Sequence, residues 1–186
     1  MKKNWIILCM LPLFFLPGKI NAQKVAEKTN LLYWATSTPN FGLEVMLHNR
    51  WSLDFSVGHN PWDLPDNLSL RHWLVRMEPR FWMREAFKGH FFGVNGVYAA
   101  YNIGNIPFID DLKEHTYKGN LYGGGLTYGY HFVLNKRWGL ELSLSGGYLR
   151  MEYDQYFCSD CRELIGHTAR SYIGPTRAAV SLVFML

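Results

Sequence analysis

Cys158 and Cys161 form a Cys-Ser-Asp-Cys pair in the C-terminal quarter of the chain, the most reactive spacing in the sequence. A zinc centre would need two further ligands, for which His115 and His167 are the nearest suitable residues. A catalytic dithiol needs a thioredoxin-like surrounding, which this segment lacks. In an exported chain an even pair of cysteines most simply closes a local disulfide, here one that would shape the tip of a loop. Hydrolysis or acyl transfer asks instead for a serine, a histidine base and an orienting acid. There is no His-x-Ser pair, Ser143 and Ser145 alternate with leucines, and His167 and Ser171 are an i, i+4 pair that an extended strand holds well apart. The histidines at 48, 59, 72, 90, 115, 131 and 167 are dispersed without metal-ligand spacing. No cofactor and no catalytic residue is assigned.

The ionisable residues carry more information. Glu44, Asp54, Arg76, Glu78, Arg80, Glu141 and Arg177 all lie inside stretches that alternate apolar and polar residues, and all fall on the polar face. They read either as a path for protons or ions, or as a network that pairs across a filled interior. A narrow barrel favours pairing, because eight strands leave an interior that side chains fill.

The elements that position them follow from the same period of two. Eight segments have strand character: 27–36, 40–48, 51–60, 69–82, 90–103, 120–133, 138–153 and 169–186. In the second, Phe41, Leu43, Val45 and Leu47 alternate with Gly42, Glu44, Met46 and His48; in the third, Trp51, Leu53, Phe55 and Val57 alternate with Ser52, Asp54, Ser56 and Gly58. The fourth places Trp73, Val75, Met77 and Phe81 opposite Arg76, Glu78 and Arg80.

Alternation alone does not say which face is inside, but two further patterns do. Connections at 48–50, 83–89 and 134–137 are short, whereas those at 61–68, 104–119 and 154–168 are long and polar, the asymmetry of outer-membrane barrels. Aromatic residues gather at strand ends: Trp51, Phe91, Phe92, Tyr130, Phe132 and Trp138 by the short turns, and Tyr33, Trp34, Tyr98, Tyr148 and Tyr172 towards the other rim. Trp62 and Phe108 stand in long connections as candidate contact residues. The expected fold is therefore all-β, an eight-stranded antiparallel transmembrane β-barrel of OmpA/OmpX-like size.

Residues 1–22 read as a secretory signal: Lys2 and Lys3, an apolar run from Trp5 to Leu16, a Pro17-Gly18 break and a cut after Ala22. Cys9 lies within the run and follows Leu8, which does not suit lipidation. The formal charge of +4 comes largely from this segment, which holds Lys2, Lys3 and Lys19 and no acid. Residues 23–186 form a single domain of modest charge, with Lys and Arg scattered among acids, so no nucleic-acid partner is expected.

The stretch from Lys28 to Val45, with Trp51-Ser-Leu-Asp-Phe55, Asn60-Pro-Trp62, His72-Trp-Leu-Val75, Gly89-His-Phe-Phe-Gly93, Tyr128-Gly-Tyr130, Lys136-Arg-Trp138 and Gly174-Pro-Thr176, resembles a known family. It is a group of small exported proteins of anaerobic Gram-negative gut and mouth bacteria, defined by a domain of unknown function. The resemblance implies an outer-membrane barrel and an association of some members with fimbria-type surface systems; it implies no activity. Many outer-membrane barrels end on an aromatic residue where this chain has Leu186, although Phe184 holds the apolar face. The expected function is a non-enzymatic outer-membrane barrel that displays external loops and anchors, or assists assembly of, fimbria-like surface structures, with outer-membrane lipid and surface or fimbrial proteins as its partners. Two alternatives stay open: an outer-membrane lipid-modifying enzyme of the lipid A deacylase or acyltransferase type, and a soluble periplasmic ligand-binding barrel.

Overall fold

The computed structural model describes residues 25–62, 69–104, 116–156 and 164–186. The expected signal segment, Phe108, Cys158 and Cys161 lie outside them. Eight strands run β1 Val25–Asn30, β2 Asn40–His48, β3 Trp51–Asn60, β4 Ser69–Trp82, β5 Gly89–Gly104, β6 Thr116–Val133, β7 Trp138–Tyr156 and β8 Leu164–Met185, with one short helix, α1 Leu31–Ala35. Each strand pairs antiparallel with the next, and β1 returns to β8, so the sheet closes into a ring.

The alternation sets the register. Glu44 lies opposite Asp54, and Asp54 opposite Glu78, which puts three carboxylates in one row across β2, β3 and β4. Like charges directly opposite one another destabilise a sheet, so the row demands cations from across the interior. The opposite faces carry Phe55, Met77, Leu126, Leu142 and Leu144, all exposed. Glycines make room inside: a Cβ on Gly93 would stand 2.9 Å from Cγ of Glu78, and one on Gly129 would collide with the Phe91 ring.

The ring is uneven. Strands β5 to β8 have 16, 18, 19 and 22 residues, whereas β1, β2 and β3 have 6, 9 and 10. Four tall strands therefore form a wall that rises above three low ones. This corrects the sequence expectation at several ends: the sixth strand starts at Thr116, the seventh runs to Tyr156 and the eighth starts at Leu164, so strands occupy much of what reads as loop. The extensions put polar residues on the outward face, Lys118 opposite Asp154 and Asn120 opposite Glu152, so no apolar row marks them.

The first strand is corrected in the other sense. It ends at Asn30 rather than continuing to 36, because the Asn30 side chain accepts the Leu32 amide at 3.1 Å and caps α1. The Asn30 amide itself turns to Oδ1 of Asn40 at 2.6 Å, and Oδ1 of Asn30 also accepts the Val180 amide of β8 at 3.2 Å. A side chain thus takes over from the β1–β8 ladder at the point where β1 stops.

Candidate functional site

The interior is stacked in layers. At the short-turn end, Trp82 and Phe91 are fully buried with ring centroids 4.8 Å apart, and Phe87 of the β4–β5 turn folds up against Trp82 at 5.8 Å. Phe87 takes φ 65° to do so, a left-handed conformation that a side chain tolerates only where packing holds it. Ala26 and Val183 complete this apolar floor. Phe91 is therefore inside, not on the outer rim as its neighbours in sequence suggest; it pairs with Gly129, whose missing side chain admits the ring.

The charged layer lies next. Arg80 is fully buried and donates through Nε to Glu78 at 2.7 Å, and through Nη1 to Glu44 at 2.8 Å and Glu141 at 3.1 Å. Lys28 donates to Glu141 at 2.6 Å, pairs closely with Glu44, and lies 3.5 Å from Asp54. Ser52 donates to Glu44, and Trp82 Nε1 donates to Ser52 Oγ at 2.8 Å, which ties this layer to the floor. Thr127 donates to Glu78 at 2.7 Å and lies 2.9 Å from Ser145 Oγ. Two cations thus hold four carboxylates.

Of the seven charged residues marked by sequence, the structure brings Glu44, Asp54, Glu78, Arg80 and Glu141 into this one cluster. Arg76 and Arg177 make no ion pair in it, but lie close enough for their charges to act on Glu78. Arg76 is buried with Nε and Nη1 unpartnered, and Arg177 lines a small void of about 20 Å³ together with Tyr33, Asn30 and Asp54. Tyr33 accordingly faces inward rather than joining an outer girdle. The cation that sequence reading missed is Lys28, the partner shared by three acids. Its signal is the inward row Ala26, Lys28, Asn30, obscured because Glu27 puts a second charge on the outward face of the same short strand.

Above the void the connection between α1 and β2 folds over the opening. Asn60 Nδ2 reaches the Thr36 carbonyl and Thr38 Oγ1, both at 3.4 Å, and Thr38 lies 3.5 Å from His72 Nε2. Trp62 is pinned to the same connection, its Nε1 donating to the Ser37 carbonyl at 3.0 Å, while its ring stays half exposed. Beyond this lid, a cavity of about 640 Å³ stands against the tall wall, with Asn60, His72, Tyr101, Lys118, Glu152 and Tyr153 in its lining. At its rim, Arg150 donates to Glu152 at 2.9 Å and with Tyr122 holds that carboxyl below the usual carboxylate range. His167 meets Asp154 at 2.8 Å, whereas Ser171 bonds to the Tyr148 hydroxyl at 2.8 Å, so the serine points to a different partner from the histidine. Ser143 and Ser145 are buried in the interior.

A closed antiparallel ring of eight strands, charged within and apolar without, defines the class. The chain belongs to the family described as a protein of unknown function, DUF3575, whose model matches residues 6–186. No curated protein matches the chain.

Proposed function

We propose that the protein is a non-enzymatic outer-membrane β-barrel with a sealed lumen, acting through the tall wall and cavity at the end opposite its short turns. The observation that carries this reading is the inversion of polarity. Glu44, Glu78, Arg80 and Glu141 are at most 1% exposed, while Leu126, Leu144, Phe92 and Tyr128 are 48–68% exposed. A chain folding in water buries the second set and solvates the first; a chain folding in lipid does the reverse.

The dimensions agree. On β6 the outward apolar row runs from Tyr122 to Phe132, and on β7 from Trp138 to Tyr148, with aromatic residues at both ends of each. Both rows span the roughly 9–11 tilted residues that a membrane-crossing strand needs. Beyond Tyr148 the outward residues turn to Arg150, Glu152 and Asp154. Outward aromatic pairs, Trp51 with Phe81 at 5.2 Å and Trp138 with Phe184 at 4.9 Å, mark the lower edge, and Trp73 with Tyr98 at 5.5 Å lies towards the upper. In this orientation the short turns are periplasmic and the cavity faces outside, where it offers a contact surface to surface or fimbria-like proteins. The association of some members of the resembled family with fimbria-type surface systems supports that choice of partner.

Cell fractionation and gel mobility test the membrane reading. The protein should sediment with outer membranes and migrate faster unheated than boiled, because a ring without a free edge resists detergent. Recovery in the soluble fraction without detergent overturns it. Photo-crosslinking residues at Asn120 and Trp62 should give discrete adducts with surface proteins, and the same group at Lys136 should not; identical patterns at both ends would remove the surface role.

A further inference from the structure

The three short turns carry an unusual set of charges. Arg50 lies between β2 and β3, Arg84 and Lys88 between β4 and β5, and Lys136 and Arg137 between β6 and β7; all five are exposed. The acid among them is Glu85, which Lys88 meets at 2.8 Å and holds below the usual carboxylate range through that hydrogen bond. Arg50, Arg84, Lys136 and Arg137 have no acidic partner among the described residues. At the opposite end, by contrast, Arg150 and His167 each have a carboxylate at hand.

Position gives these bases a chemistry. Arg50 precedes Trp51, Arg137 precedes Trp138 and Arg84 follows Met83, and those three apolar neighbours are 41–53% exposed on the outer rim. A base one residue beyond an apolar rim lays its aliphatic stem along that rim and carries its charge to the level of lipid phosphates. The turns recur every second strand, so their charges are distributed around the circumference rather than gathered on one face. Hairpins two strands apart are separated by about 10 Å, roughly a Debye length at physiological salt. They therefore suit separate small anions better than one continuous polyanion.

We propose that this basic collar is a binding site for the phosphate of anionic glycerophospholipid headgroups in the leaflet facing the short turns. The inference rests on the membrane reading above and adds a lipid class and a leaflet to it.

The test reconstitutes the full chain and the variant R50Q/R84Q/K136Q/R137Q in phosphatidylcholine vesicles containing brominated phosphatidylglycerol or brominated phosphatidylcholine. Tryptophan fluorescence, to which Trp51 and Trp138 contribute beside the collar, reports which lipid lies against it. The parent should favour phosphatidylglycerol by about threefold to tenfold at low salt, and the variant or about 0.5 M salt should bring the ratio close to one. Salt titration of the parent carries the same test if the variant does not fold. Equal quenching in the parent, a preference that survives in the variant, or capture of heparin without lipid selectivity overturns the proposal and leaves the membrane reading standing. Failure to insert into either vesicle overturns the membrane reading itself.

Discussion

Arg80 joins four carboxylates while fully buried, and Lys28 joins three of them in the same layer. With four acids held by two bases, losing a base and losing an acid are not equivalent. Arg80→Met leaves Lys28 as the one cation ion-paired with Glu44, Asp54 and Glu141 and leaves Glu78 without an ion pair, and should cost at least the roughly 3–5 kcal/mol of a broken buried pair. Glu78→Gln removes one excess charge and leaves Arg80 bonded to Glu44 and Glu141, so it should cost about 1–3 kcal/mol. Urea unfolding in lipid or detergent measures both, and a variant order reversed from this one would show that the acids are not the charges in excess. Glu27 supplies the control. It lies between Leu43 and Phe184 on the outward face with Oε2 unpartnered, so Glu27→Gln should leave stability unchanged or raise it by up to about 1 kcal/mol. A loss as large as that of Arg80→Met would reverse the assignment of faces.

At the scale of elements, Asn30 concentrates several functions in one side chain: it ends β1, caps α1 and holds the Val180 amide where β1 no longer pairs with β8. Asn30→Ala should cost about 1–2 kcal/mol, by loss of the cap and exposure of a strand amide. Hydrogen exchange should quicken at Leu32 and Val180 and stay slow at Val183; uniform quickening along β8 would mean that the side chain does not act locally. This junction was not legible in the sequence, because Leu31 to Ala35 are apolar and aromatic and continue a strand as readily as they form one turn of helix. The middle of the barrel was legible: Trp51 to Asn60 alternates cleanly, and Ser69 to Trp82, the least regular segment, still puts Arg76, Glu78 and Arg80 on one face, so the bounds of both follow from that period. The tops of β6 to β8 were not, since Lys118, Asn120, Glu152 and Asp154 replace the apolar residues of the outward face and leave no apolar row to read. Lys28 escaped for a related reason, its strand being too short and too charged to show which face is inside.

For the whole molecule, the stacking of unlike layers determines whether the ring transports anything. A pore needs a continuous polar path, yet Trp82, Phe91 and Phe87 close the short-turn end with 0–5% exposure. Above them, the Arg80 and Lys28 cluster fills the section with charges bonded to one another. An ion entering there would have to break pairs that have no solvent to replace them. Asn60, Thr38 and His72 form a third closure beneath the cavity. The three closures rest on different chemistry, apolar packing, ion pairing and neutral hydrogen bonds, so no single lesion opens all of them. Purified protein in a planar bilayer should therefore show no unitary conductance across a range of voltages. Phe87→Ala, which strips the floor and leaves the charged layer whole, should unfold more easily by about 3–5 kcal/mol and still conduct no ions. Stable, selective current steps from the parent would show that Arg76, Arg177 and the cluster below them form a path rather than a plug. Steps from the Phe87→Ala variant alone would show that the apolar floor is the seal and that the ion-paired layer admits ions once it is gone.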